Sequence, residues 1–156
     1  MGGGQQQLQQ LSQELQALDE EIESLESEVS DLNDEKDEID EAVEAIETLE
    51  TGSTVQVPLG GDAYLRAEVQ DIDEVVVSLG ANYAAEQEQS TAIETLRRKQ
   101  DALDEEIASV RGQIEELEEE SDEIEEQAMQ AQQQMQQQQM QQMQQMQGEG
   151  GDGDDE

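Results

Sequence analysis

Residues 53–85 read STVQVPLGGDAYLRAEVQDIDEVVVSLGANYAA, and this stretch decides the fold. Apolar and β-branched side chains alternate with polar ones in it, which is the two-residue period of β-strands. Breaks at 60–62, 70–73 and 80–81 interrupt the alternation and mark turns. Because Pro58 has no backbone N–H to donate, it marks a strand end, an edge or a bulge. The stretch therefore predicts four short strands in two consecutive hairpins.

Heptad-repeat sequence precedes this insert. The gaps between apolar residues alternate between three and four, and Lys36 is the one polar residue in the series. Most other positions are Glu, Asp, Gln or Ser. A seam this narrow is typical of a coiled coil rather than of an ordinary globular helix. The predicted seam consists of Leu8, Leu11, Leu15, Leu18, Ile22, Leu25, Val29, Leu32, Lys36, Ile39, Val43 and Ile46.

A second heptad array follows the insert and has nearly the same length as the first. Equal lengths allow the two helices to pair antiparallel, with the insert returning the chain. Its predicted seam consists of Ile93, Leu96, Gln100, Leu103, Ile107, Val110, Ile114, Leu117, Ser121, Ile124, Ala128 and Ala131.

The scarce basic residues suggest a register for this pair. In an antiparallel pair, the e positions of the two heptad arrays face each other. Aligning them places Asp40 opposite Arg97 and Glu26 opposite Arg111. The same register brings the polar seam residue Lys36 into a layer next to Gln100. Acidic residues are so common here that other registers would also supply partners for two arginines.

The fold class predicted from these patterns is α+β, a long antiparallel α-helical coiled coil with a two-hairpin, four-strand β insert between the helices. From Gln130 onward the sequence is mostly Gln and Met and then Gly, Asp and Glu, a low-complexity composition that predicts disorder. The predicted segments are a flexible N-terminus at 1–7, helix 1 at 8–51, the β insert at 52–85, helix 2 at 86–130 and a disordered tail at 131–156.

Composition excludes whole classes of function. The 156 residues include 43 Asp plus Glu, 6 Lys plus Arg, and no Cys or His, so the formal net charge is −37. Such a charge opposes binding to nucleic acids and to anionic membranes. Without Cys or His there is no thiolate or imidazole chemistry, and no carboxylate pair stands out from the many others. We therefore expect no catalytic residue, no metal site and no cofactor. No apolar stretch is long enough for a membrane span, and we expect a cytoplasmic protein.

The order of helix, two hairpins and returning helix resembles the α class of the prefoldin family, over residues 8–130. A four-strand insert, rather than a single hairpin, favours the α class over the β class. The Gln/Met-rich end departs from the usual family ending. The matching insert residues are Val57, Pro58, Leu59 and Gly60, then Tyr64, Ala67 and Val69, then Val75 to Gly80 with Asn82 and Tyr83.

The resemblance implies a function and a set of partners. It implies a hexamer of two α and four β subunits, with a central platform of strands and six projecting coiled coils. The family holds unfolded proteins without ATP and delivers them to a group II chaperonin. The acidity resembles that of cytoplasmic proteins from halophilic archaea that accumulate salt. A different class of function also fits the heptads, namely a structural tether or scaffold whose tip binds one specific partner.

Two groups of residues are candidate sites. The ends of the two helices would form a client-binding tip, although its leucines can equally be ordinary seam residues and its methionines incidental. The insert strands would form the oligomer interface, because open edges pair with other chains, although these side chains can also pack within one subunit. The tip residues are Leu8, Leu11, Leu15, Met129, Met135, Met140, Met143 and Met146, and the strand residues are Val55, Val57, Leu59, Tyr64, Leu65, Val69, Val75, Val77 and Leu79.

Overall fold

The computed structural model describes residues 3–149 and has the predicted architecture of two long helices with two β-hairpins between them in the chain. These residues form two compact units, one made of 3–27 with 110–149 and the other of 28–109. Each helix contributes to both units. The elements, in chain order, are α1 (Gly3–Thr48), β1 (Thr54–Gly60), β2 (Ala63–Glu68), β3 (Val75–Gly80), β4 (Tyr83–Gln87) and α2 (Gln89–Glu149).

The buried side chains of both helices follow the predicted seam. Every predicted seam position is buried or half-buried, while most of the Asp and Glu residues between them are exposed. Val43 is completely buried. The polar seam residues Gln100 and Ser121 are also buried, at 8% and 9% exposure. The heptad spacing therefore places the apolar stripe of each helix inward, as the sequence predicts.

Both helices extend further than the sequence analysis predicted. Helix α1 begins at Gly3, so the predicted flexible segment is wrong for residues 3–7. Helix α2 continues to Glu149, so the predicted disorder is wrong for residues 131–149. Gln, Met and Ala are good helix formers, and adding turns to an existing helix avoids the cost of nucleation. The rest of the predicted tail, residues 150–156, lies outside the described residues.

The two hairpins are separate two-stranded sheets. Strand β1 pairs with β2 and β3 with β4, both antiparallel, and each turn has two loop residues. The loop residues all have positive φ, namely 59° and 61° at Gly61 and Asp62, and 51° and 61° at Ala81 and Asn82. Positive φ at both loop positions defines the type I′ turn, whose twist matches that of the strands. The strands lie at residues 54–87, two residues later than the predicted insert.

Gln89, the first residue of α2, connects the two helices. Its side-chain amide donates hydrogen bonds to the backbone carbonyls of Ile46 at 2.6 Å and Leu49 at 3.4 Å. The last carbonyls of a helix have no partner within the helix, and this amide satisfies that of Ile46 in the last turn of α1 and that of Leu49 just after it. Between the hairpins, the backbone N–H of Ile72 donates to the Thr51 hydroxyl at 3.1 Å. The Gln89 bonds join the start of α2 to the end of α1, and the Ile72 bond joins the segment between the hairpins to the residues that follow α1.

Candidate functional site

The first candidate surface lies in the unit that contains both chain ends. Its core is a cluster of Leu11, Leu18 and Ile124, against which Leu15, Leu117 and Ala128 pack. Two of the leucines predicted to contact clients therefore belong to this packed core, and Leu8 is half-buried. The apolar groove next to the cluster is lined mainly by Leu8, Leu15, Ala128 and Met129.

Met135 packs against the first turn of α1. It is half-buried, and a Cβ added to Gly4 would lie 3.1 Å from its Cγ and 3.2 Å from its Sδ. The missing side chain of Gly4 therefore permits the close approach of Met135. The sequence analysis did not single out Gly4, although its position at the start of a Gln-rich helix was visible in the sequence.

The methionines that follow Met135 are solvent-exposed. Met140, Met143 and Met146 are 71%, 72% and 80% exposed, and Met129 is 64% exposed. Residues three apart differ by about 60° in direction around a helix axis, so Met140, Met143 and Met146 share one side of α2. Together with Gln136, Gln139 and Gln142 they line a shallow, mostly apolar surface. We call Met140, Met143 and Met146 the Met surface.

Two sequence segments near the chain ends carry no charged side chain. Residues 1–13 and 127–148 contain no Asp, Glu, Lys or Arg, although the chain has 43 acidic residues in total. The Met surface therefore combines exposed thioethers with neutral amides in a chain that is otherwise strongly acidic. Such a surface adds no like charge of its own against an acidic polypeptide.

The second candidate surface is the first hairpin. Val57 and Leu65 are directly opposite each other in the β1–β2 register and are 40% and 55% exposed. Leu59 and Tyr64 are exposed as well, at 65% and 60%. An isolated two-stranded sheet with apolar side chains in solvent is marginal in water and is stabilised by further packing.

The second hairpin has one covered and one exposed face. Val77 is 5% exposed and Val75 is half-buried, so this face already packs within unit 28–109. The other face carries Val76, which is 64% exposed, and Leu79 and Tyr83 are 49% and 73% exposed. The predicted set of interface residues did not include Val76 and Tyr83. The run of three valines at 75–77 was the signal, since consecutive apolar residues in a strand make both faces apolar.

A layer of polar side chains crosses the seam in unit 28–109. The Lys36 ammonium pairs with Asp104, and the side-chain amide of Gln100 donates to the Lys36 carbonyl at 3.1 Å and to Asp40 Oδ1 at 2.7 Å. Arg97 Nη1 lies 2.9 Å from the same Asp40 oxygen. The register predicted for Asp40, Arg97, Lys36 and Gln100 is thus confirmed.

The charges of this layer shift two pKa values. Hydrogen bonds from Gln100 and Arg97 lower the pKa of the Asp40 carboxyl. The hydrogen bond to Asp104 raises the pKa of the Lys36 ammonium. In the other unit, the predicted pair of Glu26 and Arg111 does not form among the described residues, because no carboxylate oxygen lies within 4.0 Å of the guanidinium there.

Within residues 3–149, no group of three or more acidic side chains is arranged to hold a metal ion. Neither described helix carries an apolar segment of the length and hydropathy needed to cross a bilayer. The candidate sites described above are the Met surface and the exposed faces of the two hairpins.

Comparisons with known proteins agree with this architecture. The family model described as "Prefoldin subunit" matches residues 18–146. Prefoldin subunit alpha of Halorubrum lacusprofundi is 69% identical over 107 residues, which cover 69% of this chain and 70% of that one. Prefoldin subunit alpha of Haloarcula marismortui is 58% identical over 66 residues, covering 42% of this chain and 43% of that one.

A solved structure has the same fold. The cryo-EM structure of filamentous PFD from Methanocaldococcus jannaschii is 25% identical, with a TM-score of 0.51, and the match covers 76% of this chain and 95% of that one. The family model spans most of the chain, and the Halorubrum relative is 69% identical over more than two thirds of it. The chain belongs to the prefoldin family, as an archaeal alpha-class subunit of the halophilic type.

Proposed function

We propose that this chain is one of two alpha subunits in a cytoplasmic hexamer with four β-class subunits, and that the hexamer captures unfolded proteins and delivers them to a group II chaperonin. Prefoldin is a family of non-enzymatic chaperones, and membership implies assembly with other prefoldin subunits. Capture takes place without ATP, by contact with the ends of the helices. In this proposal the Met surface binds clients, and the exposed hairpin faces bind the other subunits.

The Met surface is the observation that carries the client-binding part of this proposal. Three thioethers that are 71–80% exposed stand on one side of α2, within the uncharged segment 127–148. Methionine is flexible and polarizable, so a surface made of it can adapt to client segments of different shape. Because the surrounding amides are neutral, an unfolded acidic chain meets no like charge there.

Deletion of residues 131–156 tests the role of this end. We expect the truncated chain, assembled with its β-class partners in molar KCl, to suppress light scattering by several unrelated aggregating proteins less than the full chain does. Deletion of residues 150–156 alone is the matched control, since it removes acidic tail residues but leaves the Met surface. Equal suppression by all three chains would place client binding elsewhere.

The same assay separates a holdase from a structural tether. A holdase slows the aggregation of many unfolded proteins, because the Met surface recognises apolar segments in general. A tether would bind one folded partner and leave the aggregation of unrelated proteins unchanged.

The exposed hairpin faces support the assembly part of the proposal. Val57 and Leu65 form a cross-strand apolar pair, and both edges of each two-stranded sheet are open to further strands within the described residues. We expect Val57→Asp to reduce the hexamer fraction in sedimentation velocity with a β-class partner, because it buries a charge in the interface. Gln56→Asp, on the other face of β1, is the control. Assembly that is unaffected by Val57→Asp would exclude this face as the interface.

A further inference from the structure

All the sulfur in this chain is in methionine, because the chain has no cysteine. It also lacks tryptophan and histidine, two other side chains that are readily oxidised. Of its 6 methionines, five lie between residues 129 and 146. The side chains most susceptible to mild oxidants are therefore concentrated at the surface that carries client binding in our proposal.

We propose that Met140, Met143 and Met146 form a site of reversible oxidation by hydroperoxides, and that sulfoxide formation there reduces the capture of unfolded proteins. The oxidation site itself depends only on exposure and chemistry. Its effect on capture rests on the proposed function.

Exposure divides these methionines into two classes. The three thioethers of the Met surface are 71–80% exposed, whereas Met135 is half-buried, and its Sδ lies 3.2 Å from the Cβ position of Gly4. Susceptibility to oxidation follows exposure. All four methionines are flanked by Gln on both sides, so their intrinsic reactivities are matched. Differences in rate among them therefore report burial rather than local sequence.

The chemical step needs one oxidant and no catalyst. A lone pair of the thioether sulfur attacks the outer oxygen of the hydroperoxide, an S–O bond forms and the O–O bond breaks. The sulfur loses two electrons to become a sulfoxide, and the hydroperoxide is reduced to an alcohol or, for hydrogen peroxide, to water. A methionine sulfoxide reductase reverses the step at the expense of a dithiol.

The change alters the surface more than the fold. A sulfoxide is polar and chiral, so three of them convert an apolar side of α2 into a polar one. The core cluster of Leu11, Leu18 and Ile124 contains no methionine and keeps its packing. The helix in this segment is made mainly of Gln, which does not react. Oxidation therefore removes the apolar contact area while the helices remain paired.

Site-resolved mass spectrometry tests the oxidation site. The full chain is treated with hydrogen peroxide in molar KCl and cleaved with a Glu-specific protease, which releases residues 127–149 as one peptide. We expect Met140, Met143 and Met146 to gain oxygen several-fold faster than Met135 in the folded chain, and all four to react at one rate in guanidinium chloride. Equal rates in the folded chain would overturn the proposal.

Aggregation assays test the effect of oxidation. The triple variant Met140→Leu, Met143→Leu, Met146→Leu keeps an apolar surface that peroxide does not modify. We expect peroxide to lower suppression by the natural chain, in its complex with β-class partners, and a methionine sulfoxide reductase to restore it. The Leu variant should suppress aggregation equally well with and without peroxide treatment. An equal loss in both complexes would overturn the effect on capture.

A failure of the proposed function gives a different pattern. In that case neither complex suppresses aggregation even before treatment, which overturns the effect on capture together with the function it rests on. The rate ratio between Met140 and Met135 still decides whether the oxidation site exists.

Discussion

Lys36 and Gln100 occupy seam positions where apolar residues would give a more stable coiled coil. The structure shows how their cost is reduced, since the Lys36 ammonium reaches Asp104 and the buried Gln100 amide bonds to Asp40 and to a backbone carbonyl. Moving one helix by a heptad would separate these partners and leave a buried amide without acceptors. The polar layer therefore selects one register in this unit at some cost in stability.

The Asp40 carboxyl gives this layer a pH dependence. Its pKa is lower in the folded chain than in the unfolded one, so the stability it contributes is present above the unfolded pKa and is lost as pH falls through the folded pKa. We expect Asp40→Asn, which keeps an acceptor but removes the charge, to lower the thermal midpoint at neutral pH. The difference from the natural chain should close on acidification below the ordinary range of aspartate.

Asp34→Asn is the matched control, because it removes the same charge from an exposed site on the same helix that makes no ion pair within residues 3–149. Thermal unfolding followed by circular dichroism at several pH values measures both variants. If the difference in thermal midpoint between Asp40→Asn and the natural chain stayed constant with pH, the ionised Asp40 carboxyl would not be the stabilising group.

Individual pairs could be predicted from the sequence only in part. The Asp40–Arg97 pair forms as predicted, and Gln100 supports it by donating to the same carboxylate. The Glu26–Arg111 pair has no such support. Exposed ion pairs contribute little on their own, so the register does not require every one of them to form. Burial within the seam could be predicted from heptad spacing, whereas the surface pairs depend on local geometry.

At the scale of elements, the two hairpins provide an internal comparison. Both turns place two residues at positive φ, but the first loop residue is Gly61 in one and Ala81 in the other. An L-residue with a Cβ is strained in this region, whereas glycine is not. We expect Ala81→Gly to stabilise the β3–β4 hairpin by about 0.5–1 kcal/mol, after allowing for the greater freedom of glycine in the unfolded chain.

Gly61→Ala is the reciprocal test and should destabilise the β1–β2 hairpin by a similar amount. Hydrogen exchange of the strand amides reads out each hairpin separately. If both substitutions shifted protection in the same direction, side-chain contacts rather than φ would control the turns.

The elements themselves were largely predictable, because alternation and heptad spacing are local signals. The end of α2 was not. Low-complexity composition shows that a segment cannot build a core, but Gln and Met still favour helix once a packed seam such as that ending near Met135 has nucleated it. The four exposed methionines follow from composition. The packing of Met135 on Gly4 does not, because it depends on how the two ends of the chain meet.

For the whole molecule, the net charge of −37 is the dominant physical fact. Most of the acidic residues lie outside the seam, at exposed positions of both helices. They include Glu14, Glu21, Glu28, Asp104, Glu118 and Glu125. Like charges that flank a seam repel across it and oppose pairing. The uncharged segments 1–13 and 127–148 are exempt from this repulsion. Screening by salt should therefore strengthen pairing mainly where the helices are acidic.

A KCl titration tests this dependence. At about 1 M ionic strength the screening length falls to about 3 Å, shorter than the separation of most exposed carboxylates, so repulsion is largely removed. We expect helicity by circular dichroism, and the hexamer fraction by sedimentation with β-class partners, to rise between low and molar KCl. A parallel titration with sucrose separates screening from surface exclusion, since sucrose favours burial without screening charge. An equal rise in sucrose would assign the effect to exclusion, and a flat KCl titration would mean that the charge does not oppose pairing.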